Sequence, residues 1–136
     1  MKLLLLYAPD YWLKPFEKNL PEAPDASGEI QIQNAVVALI HAEEKDQADS
    51  AGVVTKAIKN IKWLARKFQA NQVVLHSFAH LSSSKAEPIF AEQLLQQIAE
   101  RLRSVGFTVA TTPFGYFNEF RVHVAGPSLA KVFVEI

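Results

Sequence analysis

Cysteine is absent from this chain of 136 residues. Its absence excludes disulfide bonds, thiolate metal sites and cysteine nucleophiles, and it fits a reducing compartment. Glycine is scarce, with five residues, and none of them forms a phosphate-cradling motif. An excess of either charge is also missing, because 14 basic residues balance 14 acidic ones. This balance argues against a strongly basic nucleic-acid binder, but not against an RNA held mainly by a partner domain.

Long hydrophobic runs are missing as well, since none approaches the roughly 18 residues of a membrane span. The apolar start at residues 3–7 is too short for a signal peptide, and Pro9 and Asp10 follow it. A buried first strand explains the apolar run at residues 3–7 better than a signal peptide does. The chain has the length of a single domain, residues 1–136. We therefore expect one cytoplasmic domain with no membrane partner.

The hydrophobic pattern predicts two opening strands before any helix. Residues 3–7 form a buried strand, and residues 10–28 are irregular because three prolines and Gly28 interrupt them. Residues 29–41 form a long strand that is edge-like at its start and buried at its end. A charged turn follows at residues 43–49.

Helical spacing appears twice in the rest of the chain. The first helix covers about residues 50–69 with Ser50 as its N-cap. The second begins near Ser84 or Glu87, which fit a capping box, with Pro88 in its first turn and Gly106 as its stop. The remaining strands are residues 72–78, 107–111, 120–125 and 131–135. This order predicts an α/β fold, a single domain with a mixed, partly parallel sheet and two helices packed on it.

Two loops carry most of the residues suited to chemistry. Residues 77–84 follow a strand and end at a helix N-terminus, where His80 could act as an acid, base or hydrogen-bond donor. The alternative is a loop histidine bonded to backbone, with the serines as helix caps. Residues 112–119 are aromatic and turn at Gly115. Their rings could build a pocket wall or stack on a nucleobase; the alternative is a hairpin that packs on the core.

Metal sites and catalytic triads are not predicted. His76 and His80 are four residues apart, but they lie on a strand and a loop and lack a third ligand. His41 and His123 are isolated on predicted strands. The chain has no Gly-x-Ser-x-Gly turn, and the serines at 82–84 have no acidic residue to orient His80. We therefore expect neither a metal nor a cofactor.

The string Phe78-Ala79-His80-Leu81-Ser82-Ser83 and the later Pro113-Phe114-Gly115-Tyr116-Phe117 resemble the N-terminal editing domain of archaeal-type threonyl-tRNA synthetases. Asp10-Tyr11, the segment at residues 37–43 and Gly126 to Ala130 agree with the same family. The resemblance runs along essentially the whole chain. It implies a D-aminoacyl-tRNA deacylase-like fold, usually a homodimer.

The resemblance also implies an activity, the hydrolysis of serine mistakenly attached to threonine tRNA. Serine lacks one methyl group of threonine, and a methyl discriminates by only about 1–3 kcal/mol, so a second sieve is needed. The implied partners are the 3′ aminoacyl end of threonine tRNA and a synthetase catalytic body, in cis or in trans. The resemblance further implies that water attack is helped by the ribose 2′-hydroxyl of the substrate. The implied binding wall is Ala42, Ser77, Phe78, Ala79, His80, Tyr116 and Phe117.

Two departures from the family pattern concern its catalytic pair. The family's Gly-Tyr-Tyr-Lys is Gly115-Tyr116-Phe117-Asn118 here, so the lysine is an asparagine. The family's glutamate after the Gly-His-Pro-Leu-Ala segment is Lys131 here. We therefore take His80, Asn118 and Lys131 as candidate catalytic residues, with Lys131 supplying the cation from the opposite side of the pocket and Asn118 as its polar partner.

Two other functions stay open. Gly126-Pro127 resembles the Gly-Pro element of D-aminoacyl-tRNA deacylases, so removal of D-amino acids is the first alternative. Loss of the lysine and the glutamate motivates the second, a non-catalytic module that binds aminoacylated tRNA ends or a synthetase partner.

Overall fold

The computed structural model describes residues 1–136, and its element order confirms the predicted mixed α/β fold with two helices. Two 3₁₀ helices, Glu44–Asp49 and Ser128–Ala130, are added to the predicted elements. No helix is both long enough and apolar enough to cross a bilayer. The strands and α-helices are β1 (Lys2–Lys18), β2 (Ile30–His41), α1 (Ser50–Lys67), β3 (Gln72–Ser77), α2 (Pro88–Ser104), β4 (Thr108–Thr111), β5 (Tyr116–His123) and β6 (Lys131–Glu135).

The sheet is organised around β1. Its strand order is β4-β3-β2-β1-β5, and β6 also pairs with β1. The β2–β3 and β3–β4 pairs are parallel, because α1 and α2 are crossover connections between them. One edge of β1 pairs with β2, and the other pairs first with β6 and then with β5, all antiparallel. One long strand therefore joins every part of the sheet except β3 and β4.

The length of β1 corrects the prediction that residues 10–28 are irregular. The strand continues to Lys18, so the irregular segment is only residues 19–29. Pro15 is tolerated because the pairing with β2 stops at Leu13, and the register with β5 shifts between Pro15 and Glu17. A proline at a bulge on an edge removes no ladder hydrogen bond.

Packing buries both faces of the sheet. A cluster of 21 buried residues fills the space between one face and the two helices, and a smaller cluster of eight lies on the other face. Alternation along β2 changes at Asn34, which has a positive φ of 55°. Ile32 before it and Ala35 and Val37 after it all contact the smaller cluster. The break in alternation lets one apolar face continue along a long strand.

Several helix boundaries differ from the prediction. The N-cap of α1 is Asp49, whose side chain accepts from the Gly52 N–H at 3.1 Å, and Ser50 is the first helical residue. The capping box at Ser84 is wrong, because the Ser84 hydroxyl accepts from the Glu44 N–H instead. Pro88 at the start of α2 and the left-handed Gly106 after it are confirmed. The fifth strand begins four residues earlier than predicted, at Tyr116.

A buried ionic cluster connects the start of β1 to the first 3₁₀ helix. The Met1 ammonium donates to Glu43 Oε1 at 2.8 Å and to Asp46 Oδ1 at 2.6 Å. The other Glu43 oxygen accepts from the Ser82 hydroxyl at 2.7 Å. Burial alone would raise the pKa of Glu43, but the ammonium, Ser82 and Lys2 outweigh it and lower that pKa to about 2. Glu43 therefore stays ionised and holds the loop after β3 to the strand ends.

Replacing Glu43 is expected to destabilise the fold. Glu43→Gln removes the charge that the ammonium faces, at a cost of about 2 kcal/mol at neutral pH. A pKa lowered from 4.5 to about 2 means that this contribution is present above pH 4.5 and is lost as the pH falls towards 2. Urea unfolding at a series of pH values measures both effects. Glu44→Gln is the matched control, because Glu44 is exposed; equal stabilities of the two variants would contradict the assignment.

Candidate functional site

A cavity of about 470 Å³ opens at the carboxyl ends of the parallel strands β2 and β3. Its volume lies in the usual range for small-molecule sites, about 300–1,000 Å³. Five parts of the chain line it: the segment after β1, the end of β2, the end of β3 with its loop, the start of α2, and the turn into β5. Its residues are Asn19, Leu20, Ile40, Ala42, His76, Ser77, Phe78, Ala79, His80, Lys85, Ala86, Pro88, Ala91, Pro113, Phe114, Gly115, Tyr116, Phe117, Asn118 and Phe120.

The loop after β3 is fixed by His41. This side chain is fully buried; its Nδ1 accepts from the Leu81 N–H at 2.9 Å, and its Nε2 donates to the Ser84 carbonyl at 2.6 Å. The Phe78 N–H donates to the Ile40 carbonyl at 2.8 Å. His41 ends β2, as predicted, and the structure adds a role that the sequence analysis did not assign to it. The available signal was a polar residue ending a run of apolar strand positions.

The opposite wall depends on Gly115 and Tyr116. Gly115 has a φ of +82°, and a Cβ there would lie 2.9 Å from the Ala23 Cβ, so only glycine fits. Its carbonyl accepts from the Asn19 N–H at 2.8 Å. The Tyr116 hydroxyl donates to the Pro24 carbonyl and accepts from the Ala26 N–H. These bonds hold residues 19–26 against the cavity and commit the Tyr116 hydroxyl to main-chain partners.

The floor of the cavity is aromatic and uncharged. His76 is 3% exposed, and its Nδ1 lies 2.9 Å from the Tyr11 hydroxyl. Burial lowers the pKa of His76 to about 4 and raises the pKa of Tyr11. The Phe120 ring packs edge-on against His76 with centroids 4.7 Å apart. His76 is therefore a neutral structural residue at physiological pH, engaged with Tyr11 at one ring nitrogen.

Of the nine candidate residues, the structure brings eight together. Those that line the cavity are Ala42, Ser77, Phe78, Ala79, His80, Tyr116, Phe117 and Asn118. Lys131 is not among them. Its ammonium donates to the carbonyls of Ala125, Gly126 and Pro127 at 2.9–3.3 Å.

The predicted pairing of Lys131 with Asn118 is therefore wrong. Lys131 lies opposite Leu6 on β1, whereas Asn118 lies opposite Pro15. Nine residues of strand separate these positions, which is about 30 Å. The sequence placed both residues after family motifs, but it did not show that β5 and β6 pair with different halves of the same strand.

Two residues that line the cavity carry polar groups without protein partners. Asn118 Oδ1 is buried and accepts no hydrogen bond from the chain, while its Nδ2 makes a long contact of 3.5 Å to the Tyr116 carbonyl. A buried amide oxygen without a partner is unusual and calls for a donor that the chain does not supply, such as a water molecule or a ligand group. Lys85 is exposed and lines the cavity near the start of α2, and it forms no ion pair. Sequence reasoning missed Lys85, whose signal was its place directly after the serine loop.

Comparison with known proteins agrees with the geometry. A family model described as the archaea-specific editing domain of threonyl-tRNA synthetase matches residues 1–136. The threonine–tRNA ligases of Thermococcus onnurineus and Thermofilum pendens are 32% and 34% identical to this chain, over 136 and 134 residues. Each match covers 97% of this chain and 22% of the ligase, so the chain spans about a fifth of those relatives.

A solved structure shares the fold. The c-Myc DNA unwinding element binding protein superposes with a TM-score of 0.68, covering 100% of this chain and 99% of that one. Sequence identity is 13%, so the similarity concerns the fold alone. It confirms the predicted D-aminoacyl-tRNA deacylase-like fold of a single domain.

The neutral state of His76 predicts a pH effect on stability. A pKa lowered from 6.5 to about 4 means that the unfolded chain binds a proton that the folded chain does not, so stability falls as the pH drops from 6.5 to 4. His76→Gln should reduce this loss, by up to about 3 kcal/mol. Denaturant midpoints between pH 7 and pH 4 measure it. His123→Gln, at an exposed position, is the control, and an unchanged pH profile in His76→Gln would refute the assignment.

Proposed function

This chain belongs to the family of archaea-specific editing domains of threonyl-tRNA synthetase, and we propose that it hydrolyses serine mischarged onto threonine tRNA. Family membership supports a proofreading role. The observation that carries the finer proposal is the convergence of eight residues from three separate segments in one cavity at the strand ends. Serine and threonine differ by one methyl, which justifies a site that admits only the smaller side chain.

The cavity suits the aminoacylated terminal nucleoside of a tRNA. Phe117 is 52% exposed and lines the cavity, so it offers a face on which the terminal adenine stacks. Asn118 Oδ1 accepts a hydrogen bond from the seryl ammonium or hydroxyl group. Ala42 and the residues at 77–80 form the opposite wall, whose backbone is held by Ile40 and His41.

The reaction is ester hydrolysis with help from the substrate. A water oxygen attacks the seryl carbonyl carbon, the bond to the ribose oxygen breaks, and the water proton passes through the neighbouring 2′-hydroxyl to the leaving oxygen. Serine and tRNA with a free ribose hydroxyl are released. His80 orients the reacting groups, and Lys85 is the ammonium group that stabilises the developing oxyanion. Lys85 therefore takes the role that the sequence assigned to Lys131.

The proposal extends to partners. The reaction needs the 3′ end of threonine tRNA and a source of mischarged tRNA, which is a threonyl-tRNA synthetase catalytic body in cis or in trans. The protein acts as a homodimer in the cytoplasm. Sedimentation analysis of the 136-residue chain tests the dimer; a monomer that is fully active contradicts it.

Deacylation assays test the proposed activity. We expect the chain to release serine from threonine tRNA with kcat/KM at least about 10-fold above that for threonine, because the pocket excludes the additional methyl. The same assay with D-aminoacyl-tRNA is the comparison. Faster release of D-amino acids would replace the proposal with a D-aminoacyl-tRNA deacylase, and tight binding without release would replace it with a non-catalytic module.

The two lysines give a matched pair of variants. Lys85→Gln is expected to lower kcat/KM for seryl-tRNA by roughly 10- to 100-fold, because it removes a charge facing the developing oxyanion. Lys131→Gln changes the same residue type outside the cavity and should leave kcat/KM within about twofold. Release of labelled serine measures both. The reverse order of effects would restore the role that the sequence assigned to Lys131.

A further inference from the structure

The exposed face of α1 concentrates positive charge in a chain whose net charge is zero. Five of the 14 basic residues lie on this one helix, and no aspartate or glutamate lies within it. None of the five forms an ion pair. The basic face of α1 is defined by Lys56, Lys59, Lys62, Arg66 and Lys67.

Comparison with an ordinary solvated helix and with α2 shows why the basic face of α1 is unusual. An ordinary solvated helix mixes both signs, which adds favourable pairs three or four residues apart. The neighbouring α2 does so, since it carries Glu92 and Glu100 beside Arg101 and Arg103. On α1 the like charges repel one another without local compensation. The arrangement therefore lowers the stability of the free helix slightly, and a polyanion would relieve that repulsion.

An exposed tryptophan lies among these cations. Trp63 is 42% exposed and shares a shallow surface depression with Lys59, Arg66 and Lys67. The Lys67 ammonium lies 5.8 Å from the centre of its ring. Basic side chains around an accessible aromatic ring are the combination with which proteins bind RNA, through phosphate contacts and stacking. An acidic protein partner would need the charges but would not need the exposed ring.

The direction of α1 relates this face to the cavity. The helix starts at Ser50, eight residues after Ala42 at the cavity, and returns the chain to the other end of the sheet because β2 and β3 are parallel. From Lys56 to Lys67 it rises about 16 Å. The basic face therefore leads away from the cavity, along a path that several phosphates of one bound RNA can follow.

We propose that the basic face of α1 binds the phosphate backbone of the tRNA whose aminoacylated end enters the cavity. This inference rests on the proposed function for the identity of the RNA. The basic face gives the chain its own binding surface for tRNA, which a net charge of zero did not indicate. Affinity at this face depends on counterion release and falls with salt.

Binding of a threonine tRNA transcript to the full chain tests the inference. The variant Lys59→Gln/Arg66→Gln should weaken binding by about 10-fold at low salt and reduce the slope of log affinity against log salt by about 1–2. The control Lys14→Gln/Arg121→Gln removes one lysine and one arginine elsewhere. Lys14 lies opposite Glu119, and Arg121 stacks over Trp12. Control binding should stay within about twofold of the wild type.

Unchanged affinity and salt slope in the α1 variant would overturn the inference. The inference would also be overturned if the α1 variant bound tRNA normally but no longer associated with a synthetase catalytic body, because the face would then bind protein. Circular dichroism and thermal unfolding establish that both variants are folded; the exposed positions make a fold defect unexpected.

A second measurement separates this inference from the proposed activity. The α1 variant should have a lower kcat/KM than the wild type on seryl-tRNA. It should keep the wild-type rate on a short seryl-CCA fragment, which does not reach α1. Equal losses on both substrates would contradict a backbone-binding role. If the wild type hydrolyses neither substrate, the proposed activity fails, and the tRNA-binding comparison still decides the role of α1.

Discussion

The buried carboxylate of Glu43 accepts hydrogen bonds from two parts of the molecule. One oxygen accepts from the Met1 ammonium, and the other accepts from Ser82 in the loop after β3. The start of β1 and the wall of the cavity are thereby held by one ionised group. Because an unpaired charge at a buried position is costly, each partner restricts where the others can lie. His41 completes this arrangement by binding the same loop at Leu81 and Ser84.

The site that results is lined mainly by residues with uncharged side chains. His76 is neutral, Tyr116 has its hydroxyl committed to residues 24 and 26, and the wall next to β2 is held by main-chain bonds. Such a site is well suited to shape selection, because its walls are fixed in position by bonds made away from the ligand. It has few groups that could act as a strong base. The proposed mechanism, in which the substrate supplies its own hydroxyl group, is consistent with this composition.

Charge is distributed very unevenly over the surface. The zero net charge indicated a protein that would need help to hold RNA, yet α1 carries five cations and no carboxylate. A total over the chain cannot reveal such segregation, because the field that a ligand meets depends on the charges within roughly one Debye length. The helical spacing of the lysines was visible in the sequence, but their exposure and lack of ion pairs required the packed structure.

The sequence by itself determined the order of the strands and α-helices, the mixed sheet, the place of Pro88 in the first turn of α2 and the turn at Gly115, because these follow from local periodicity and backbone preference. It also identified eight residues that meet in the cavity, since contiguous motifs carried them. Tertiary structure decided the rest. The pairing of β1 with both β5 and β6 separated Lys131 from Asn118, and the packing of the loop against His41 and Glu43 gave roles to residues that no local pattern singled out. Lys85 belongs to the site for the same reason: long-range pairing, which sequence periodicity does not encode, decides which distant side chains meet.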